Sequence, residues 1–247
     1  MDRLIYTAMT GAKHIMEQQA NTAHNLANVS TTGFRAQLDS FRAVPVIGGE
    51  GMPTRAFVVD ASVGTDFTQG PHHETGRALD VAIQGKGWIA VQMEDGSEAY
   101  TRQGSLKTSE NGVLQTASGL SVLGEGGPIS IPPDVNVSIA SDGTISSTER
   151  AGKPGQANVI GRLKLVNPRQ DTLARGDDGL FRVKGGADAD ADPTVRLAGG
   201  ALEGSNVNAV DAMVNMISLG RQFEMHMSLL KNAESNAAKA SQLMSLS

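Results

Sequence analysis

Few residue clusters in this chain have the types and spacing that chemistry requires. Gly85-Lys86-Gly87-Trp88-Ile89-Ala90 has the form G-x-G-x-x-A and follows an apolar alternation, the setting of a dinucleotide-binding turn. Such a turn must open a helix whose N-terminal amides hold the pyrophosphate. Here Trp88 to Met93 continue with period two, so the motif is read as a tight turn between strands. Asp188, Asp190 and Asp192 have the spacing that opens an EF-hand loop. Pro193 and Gly199, however, stand where that loop needs a glycine and a bidentate glutamate. The three are read as carboxylates on a solvated loop. His72-His73-Glu74 offers neighbouring side chains that a strand would turn to opposite faces. His14, His24 and His226 fall on helical segments without patterned carboxylates. No metal site and no cofactor is expected. The chain has no G-x-S-x-G elbow, so no nucleophile is marked and no catalytic residue is assigned.

The chain has 247 residues, 21 Lys+Arg and 26 Asp+Glu, for a formal charge of −5. That balance leaves no clustered basic face for nucleic acid. The absence of cysteine excludes disulfides, thiolate metal sites and cysteine nucleophiles. A membrane span needs about 20 consecutive apolar residues, and none occurs. The first ten residues lack the apolar run of a secretory signal, so any export is expected to leave the N-terminus intact. Aromatics make up only 4% of the chain and glycine reaches 29 residues, which suits thin β layers and long helical seams.

The hydrophobic period changes twice along the chain. Ile5, Ala8, Ala12, Ile15 and Leu26 recur three or four apart with neither Gly nor Pro between Ala12 and Leu26, which predicts a helix with a narrow apolar stripe. Ser30-Thr31-Thr32-Gly33 is expected to end it. Near the other end, Ser205 or Asn206 can cap a second helix of about 40 residues, which would be roughly 60 Å long. Val207, Val210, Val214 and Ile217 step along one side of it, then Phe223, Met227, Leu230, Ala233 and Ala237 after a change of register around Gly220. Between the helices the period falls to two, in Leu79-Val81-Ile83, Ile89-Val91-Met93 and Val135-Val137-Ile139. Asp95-Gly96, Asn111-Gly112, Asp142-Gly143 and Asp178-Gly179 are expected to form two-residue type I′ hairpin turns.

These patterns predict an α+β chain: long N- and C-terminal helices forming a coiled-coil-like axial layer, with a central antiparallel β domain. The expected divisions are an N-terminal axial helix with its signature turn (residues 1–34), an extended connector (35–75), the β domain (76–200) and a C-terminal axial helix (201–247). The connector expectation rests on Pro45, Gly48, Gly49, Gly51 and Pro53, with one strand at Ala56–Val59. On pattern alone, the terminal stripes suit internal pairing and self-assembly equally.

Asn25-Leu26-Ala27-Asn28-Val29-Ser30-Thr31-Thr32-Gly33-Phe34 resembles the N-terminal signature of the flagellar rod and hook axial proteins. Leu202-Glu203-Gly204-Ser205-Asn206-Val207 is similar to the signature that opens their C-terminal helix. It continues as Met213-Val214-Asn215-Met216-Ile217 and Arg221-Gln222-Phe223-Glu224-Met225. Leu79 to Gly85, Tyr100-Thr101-Arg102 and Val122-Leu123-Gly124 match the family's β domain. Met1 to Met9 and Arg42-Ala43-Val44-Pro45-Val46 most resemble a proximal-rod subunit, with a distal-rod subunit as the alternative.

The resemblance implies a structural, non-enzymatic subunit of the periplasmic rod of the flagellar basal body, which transmits motor torque for motility. Its implied partners are other proximal and distal rod subunits, copies of itself and the flagellar type III export apparatus. Helical assembly would run through Ile5, Ala12, Ile15 and Leu26 of the first helix and Val207, Val210, Val214, Ile217, Phe223 and Met227 of the last. Asn25, Asn28, Gly33, Phe34, Gly204 and Asn206 would form the signature turns. The alternative from another class is a ligand-binding or enzymatic β domain carrying oligomerising helices.

Overall fold

A computed structural model describes residues 2–45, 56–149 and 158–245. The chain divides into two compact units: Met1–Val29 with Ala36–Asp66 and Val207–Ser247, and Ser30–Arg35 with Phe67–Asn206.

The first unit holds two helices and a hairpin. Helix α1 spans Asp2–Ala27 and buries Ala8, Ala12 and Ile15, while Tyr6, Met9 and Met16 stay exposed. At its end, Asn28 donates from its backbone N–H and from its side-chain amide to the His24 carbonyl, at 3.2 and 2.9 Å. Both bonds satisfy a carbonyl that the helix itself leaves open. Strands β1 (Gln37–Pro45) and β2 (Ala56–Thr65) pair antiparallel, with a register shift between Ser40 and Phe41. The expected extended connector is therefore a hairpin, packed against α1. Gly48, Gly49, Gly51 and Pro53, together with Val46, lie outside the described residues.

Helix α2 spans Ala209–Ser245. Its cap is Asn208, not Ser205 or Asn206: Asn208 Oδ1 accepts from Val210 N at 3.0 Å and Asp211 N at 3.4 Å. Asp211 adds a negative charge in the first turn, where the helix dipole favours it. The two helices pack on each other and approach closely at Gly11, where an added Cβ would lie 2.6 Å from the His226 ring. Ala212, Met216, Leu219, Phe223, His226, Leu230 and Ala233 are buried or half-buried and repeat in steps of four and three. Val210, Val214 and Ile217 lie on another face and are exposed.

The fold-class expectation is corrected accordingly. Only two helices are present among the described residues, and the rest of the regular structure is β apart from one short 3₁₀ turn, so the central domain is mostly β. A matched pair of long helices forming a coiled-coil-like axial layer is not the architecture. The N-terminal helix has 26 residues against 37 in α2, and the apolar side chains of α2 are divided between two faces instead of forming one seam.

The second unit is built from antiparallel strands. Its largest sheet runs Leu173–Arg175, Phe181–Val183, Glu98–Thr101, Trp88–Gln92, Ser121–Gly124, Leu114–Thr116, Leu106–Thr108, with two short strands branching from it. Val135–Ile139, Thr144–Glu149 and Asn158–Arg162 form a second sheet. Two strand pairs complete the unit: Val81–Gln84 with Arg196–Gly199, and His72–Glu74 with Ala201–Glu203. Strand Trp88–Gln92 is central and buried on both faces. Ile89 and Val91 enter a core with Val81, Ile83, Leu106, Leu114 and Val122, while Trp88 and Ala90 enter another with Tyr100, Val166 and Phe181.

The four Asp-Gly and Asn-Gly dipeptides do lie at hairpin turns, but not as type I′. Gly96, Gly112, Gly143 and Gly179 have φ between 79° and 86°, whereas Asp95, Asn111, Asp142 and Asp178 are not in the positive-φ region. Gly96 N donates to Met93 O and Met93 N to Ser97 O, and the other three repeat this pattern. These are three-residue hairpins, a type I turn followed by a left-handed residue. The aspartates explain the preference. Asp95 Oδ1 accepts from Ser97 N, Asp142 Oδ1 from Thr144 N and Asp178 Oδ1 from Leu180 N, which fixes the aspartate short of positive φ.

Candidate functional site

Of the segments that carry the family-like motifs within the second unit, those holding Gly33, Gly85, Arg102 and Glu203 meet around one carboxylate. Glu203 closes the strand Ala201–Glu203, and pairing with His72–Glu74 turns its side chain inward with Ala201 while Leu202 stays half-buried. Glu203 is 0% exposed. Its Oε1 accepts from Arg35 Nη2 at 2.5 Å and from Gly70 N at 3.2 Å, and its Oε2 accepts from Arg102 Nη1 at 2.9 Å. Both guanidiniums are themselves buried. Arg102 also donates to the Gly85 carbonyl at 2.6 Å and lies 5.4 Å from the centre of the Trp88 ring. Burial pushes the Arg102 guanidinium below its ordinary range; Glu203 opposes that shift and the neighbouring Arg35 adds to it.

The backbone around this triad is packed too closely for side chains. Gly33, at φ +70°, donates to the Glu203 carbonyl at 2.8 Å, and a Cβ there would lie 2.4 Å from the Arg102 carbonyl carbon. A Cβ on Gly70 would lie 2.2 Å from the Gly204 oxygen. Phe34 is buried beneath Arg175, whose guanidinium sits 4.6 Å from the ring centre and donates to the Arg35 carbonyl at 2.7 Å. Asn206 accepts no helix role here. Its side chain donates to the Thr68 carbonyl at 3.1 Å and its N–H to the Phe34 carbonyl at 3.4 Å. Tyr100, whose hydroxyl accepts from Ala189 N at 2.7 Å, is pushed up to about 12 by burial.

Gly33, Phe34, Gly204 and Asn206 are thus brought together. Asn25 belongs to the first unit, where it clamps the start of β1 by donating to the Gln37 carbonyl and accepting from its N–H, both at 2.9 Å. Asn28 ends α1. Of the expected assembly residues, Ala12 and Ile15 are buried, and Ile5, Leu26, Val207 and Phe223 are half-buried. Val210, Val214, Ile217 and Met227 are exposed, at 68%, 60%, 60% and 47%. Sequence reasoning quoted Arg102 and Glu203 inside motifs without giving them a role, and passed over Arg35 and Asn208.

The lookalikes resolve differently. Gly85 and Gly87, at φ +81° and +137°, form the turn into the strand Trp88–Gln92, and no helix follows. Asp192 is tied into a local turn by accepting from Thr194 N at 2.8 Å. His72, His73 and Glu74 are all exposed on their strand. Among the described residues, no three of His, Cys, Asp and Glu lie together as metal ligands, and no helix is long and apolar enough to cross a membrane. Glu203, with both oxygens held by guanidiniums, joins distant segments and is not placed to move a proton.

Residues 82–147 match the model of the flagellar hook protein FlgE/F/G D1 domain, and residues 198–243 that of the flagellar basal body rod FlgEFG protein C-terminal region. The chain is 49% identical to the flagellar basal-body rod protein FlgF of Escherichia coli strain K12 and 47% identical to that of Salmonella typhimurium, with all of both chains aligned in each case. It is 32% identical to the flagellar basal-body rod protein FlgG of Bacillus subtilis, over 95% of this chain and 96% of that one. This is a family of structural proteins and not of enzymes. By full-length identity as well as by its motifs, the chain belongs to the FlgF family of flagellar basal-body rod proteins.

Proposed function

We propose that this chain is a structural subunit of the proximal flagellar rod, held in place by contacts that its C-terminal helix makes with copies of itself and with other rod subunits. The observation that carries this reading is the exposed stripe Val210, Val214 and Ile217 on α2. A monomer gains nothing from apolar side chains in water, and a contiguous exposed apolar strip marks an interaction surface. The opposite face of α2 packs on α1, which leaves this stripe to meet other chains, and a heterologous contact there would propagate an open assembly instead of closing a dimer. Export through the flagellar type III apparatus and a place in the periplasm are part of the same reading. The distal-rod alternative has weaker support, since the FlgG relatives match at 31–32% against 47–49% for two FlgF chains.

Val214→Asp tests the reading. Val214 is 60% exposed, so the isolated variant is expected to unfold within about 0.5 kcal/mol of the parent. In an assembly the same carboxylate would be buried without a partner, which costs several kcal/mol per subunit. A strain carrying only Val214→Asp is expected to be non-motile, with basal bodies that lack a completed rod. Normal swimming with a stably folded variant would overturn the reading.

A further inference from the structure

One of the four Asx-Gly hairpin turns differs from the others in its chemistry. At Asp95, Asp142 and Asp178 the side chain is an ionised carboxylate, which resists nucleophilic attack, and its Oδ1 accepts from the N–H two residues on. Asn111 carries a neutral amide in the same place. In its turn Val113 N donates to Ser109 Oγ at 3.1 Å, so no such bond ties the Asn111 side chain down. Asn111 is exposed, and among the described residues nothing hydrogen-bonds to its amide. It is also the one asparagine of the chain that precedes a glycine; the others precede Thr, Leu, Val, Pro, Ala or Met. Glycine has no Cβ to shield its backbone nitrogen and reaches conformations closed to other residues.

We propose that Asn111 is a deamidation site of this protein, at which the chain is modified without an enzyme. Gly112 N gives up its proton to base and attacks Asn111 Cγ. The bond from Cγ to the side-chain nitrogen breaks, and that nitrogen leaves as ammonia. Water then opens the cyclic imide at either carbonyl. Breaking the new bond at Cγ leaves aspartate. Breaking the original peptide bond leaves isoaspartate, in which the main chain runs through Cγ and is one carbon longer. The net change is an amide and water going to a carboxylic acid and ammonia. The fold sets both the rate and the damage. Gly112 N is held by Ser109 O at 2.9 Å, so attack waits on local opening of the turn. Gly112 O accepts from Ile131 N at 2.7 Å, and Ile131 belongs to the buried core. Aspartate gives this turn the carboxylate that the other three carry and is tolerated. The extra main-chain carbon of isoaspartate lengthens the turn that these two bonds close, so both cannot be kept. The inference stands apart from the rod assignment, since it uses none of the residues of the α2 stripe.

The full-length protein, aged in mildly alkaline buffer and mapped by peptide mass spectrometry, is expected to gain about one mass unit at Asn111 before any other asparagine. Isoaspartyl methyltransferase should label the aged protein and label aged Asn111→Gln far less, because glutamine would have to close a larger ring. Asn111 is exposed, so that variant retains the fold. Guanidinium chloride, which unfolds the chain and frees Gly112 N from Ser109, is expected to speed the reaction about tenfold or more. Asn111→Asp is expected to keep the urea midpoint of the parent, and the isoaspartate fraction of the aged protein to unfold at lower urea. Earlier deamidation at another asparagine, an undiminished label on Asn111→Gln, or equal rates in the folded and unfolded chain would each overturn the inference. An isoaspartate fraction as stable as the parent would do the same.

Discussion

At the residue scale, the centre of the second unit is one carboxylate shared by two guanidiniums. Arg35 and Glu203 are 168 positions apart and Arg102 and Glu203 are 101 apart, so the triad fastens the two ends of the unit to its middle. Removing the charge with Glu203→Gln would leave both guanidiniums buried without an anion. It is expected to cost about 3–5 kcal/mol of stability, measured as a lowered midpoint in urea; a loss below about 1 kcal/mol would contradict that role. None of this was legible in the sequence. The three residues have no shared spacing, and an ion pair across such separations exists only once the strands are paired. What was legible were the neighbours: Gly33 and Gly204, where the chain must turn or pass closely, and Asn25, whose side chain can substitute for backbone.

The turn aspartates act at this scale through pH. Hydrogen bonds from Ser97, Thr144, Arg182 and Thr194 hold the carboxyls of Asp95, Asp142, Asp178 and Asp192 below their ordinary value of 3.8. Above that value both folded and unfolded chains are ionised and the stabilisation is fully present. As pH falls through 3.8 toward the lower folded values, the unfolded chain takes up protons first and the stabilisation is lost. The melting temperature is therefore expected to be level down to about pH 5 and to fall below about pH 4. Asp95 and Asp178 are exposed and Asp142 and Asp192 half-buried at the surface, so the effect of any one is small and the decline is shared. A melting temperature that holds steady into that acidic range would count against these bonds.

At the element scale, periodicity located the strands better than it described them. The alternation Ile89-Val91-Met93 suggested one buried face, but Trp88 and Ala90 fill a second core on the other side. Asp-Gly and Asn-Gly pairs located four turns, yet the aspartate's own hydrogen bond to the residue two ahead selected the longer turn over type I′. Helix α2 shows the same limit. Of the stripe read after Gly220, Phe223, Leu230 and Ala233 lie on the inner face and Met227 is exposed, whereas the inner positions before Gly220 are Ala212, Met216 and Leu219. A helix with apolar residues on two faces gives a seam reading no means of deciding which face meets the partner. Its start is set by Asn208, and Asn208→Ala is expected to cost about 1 kcal/mol, read from thermal unfolding. An unchanged melting temperature would return the cap to another residue.

At the scale of the whole molecule, two units divide the work. The second is a set of antiparallel sheets closed by an ion triad, and the first carries helices with more apolar surface than one chain covers. That surplus is the physical basis for reading the protein as a part of a larger shaft. Its most direct test is a density map of basal bodies in which this subunit is resolved at side-chain level. The account predicts that Val210, Val214 and Ile217 of each copy lie against another protein chain, closed off from water. A map in which those three side chains face solvent in every copy would contradict it.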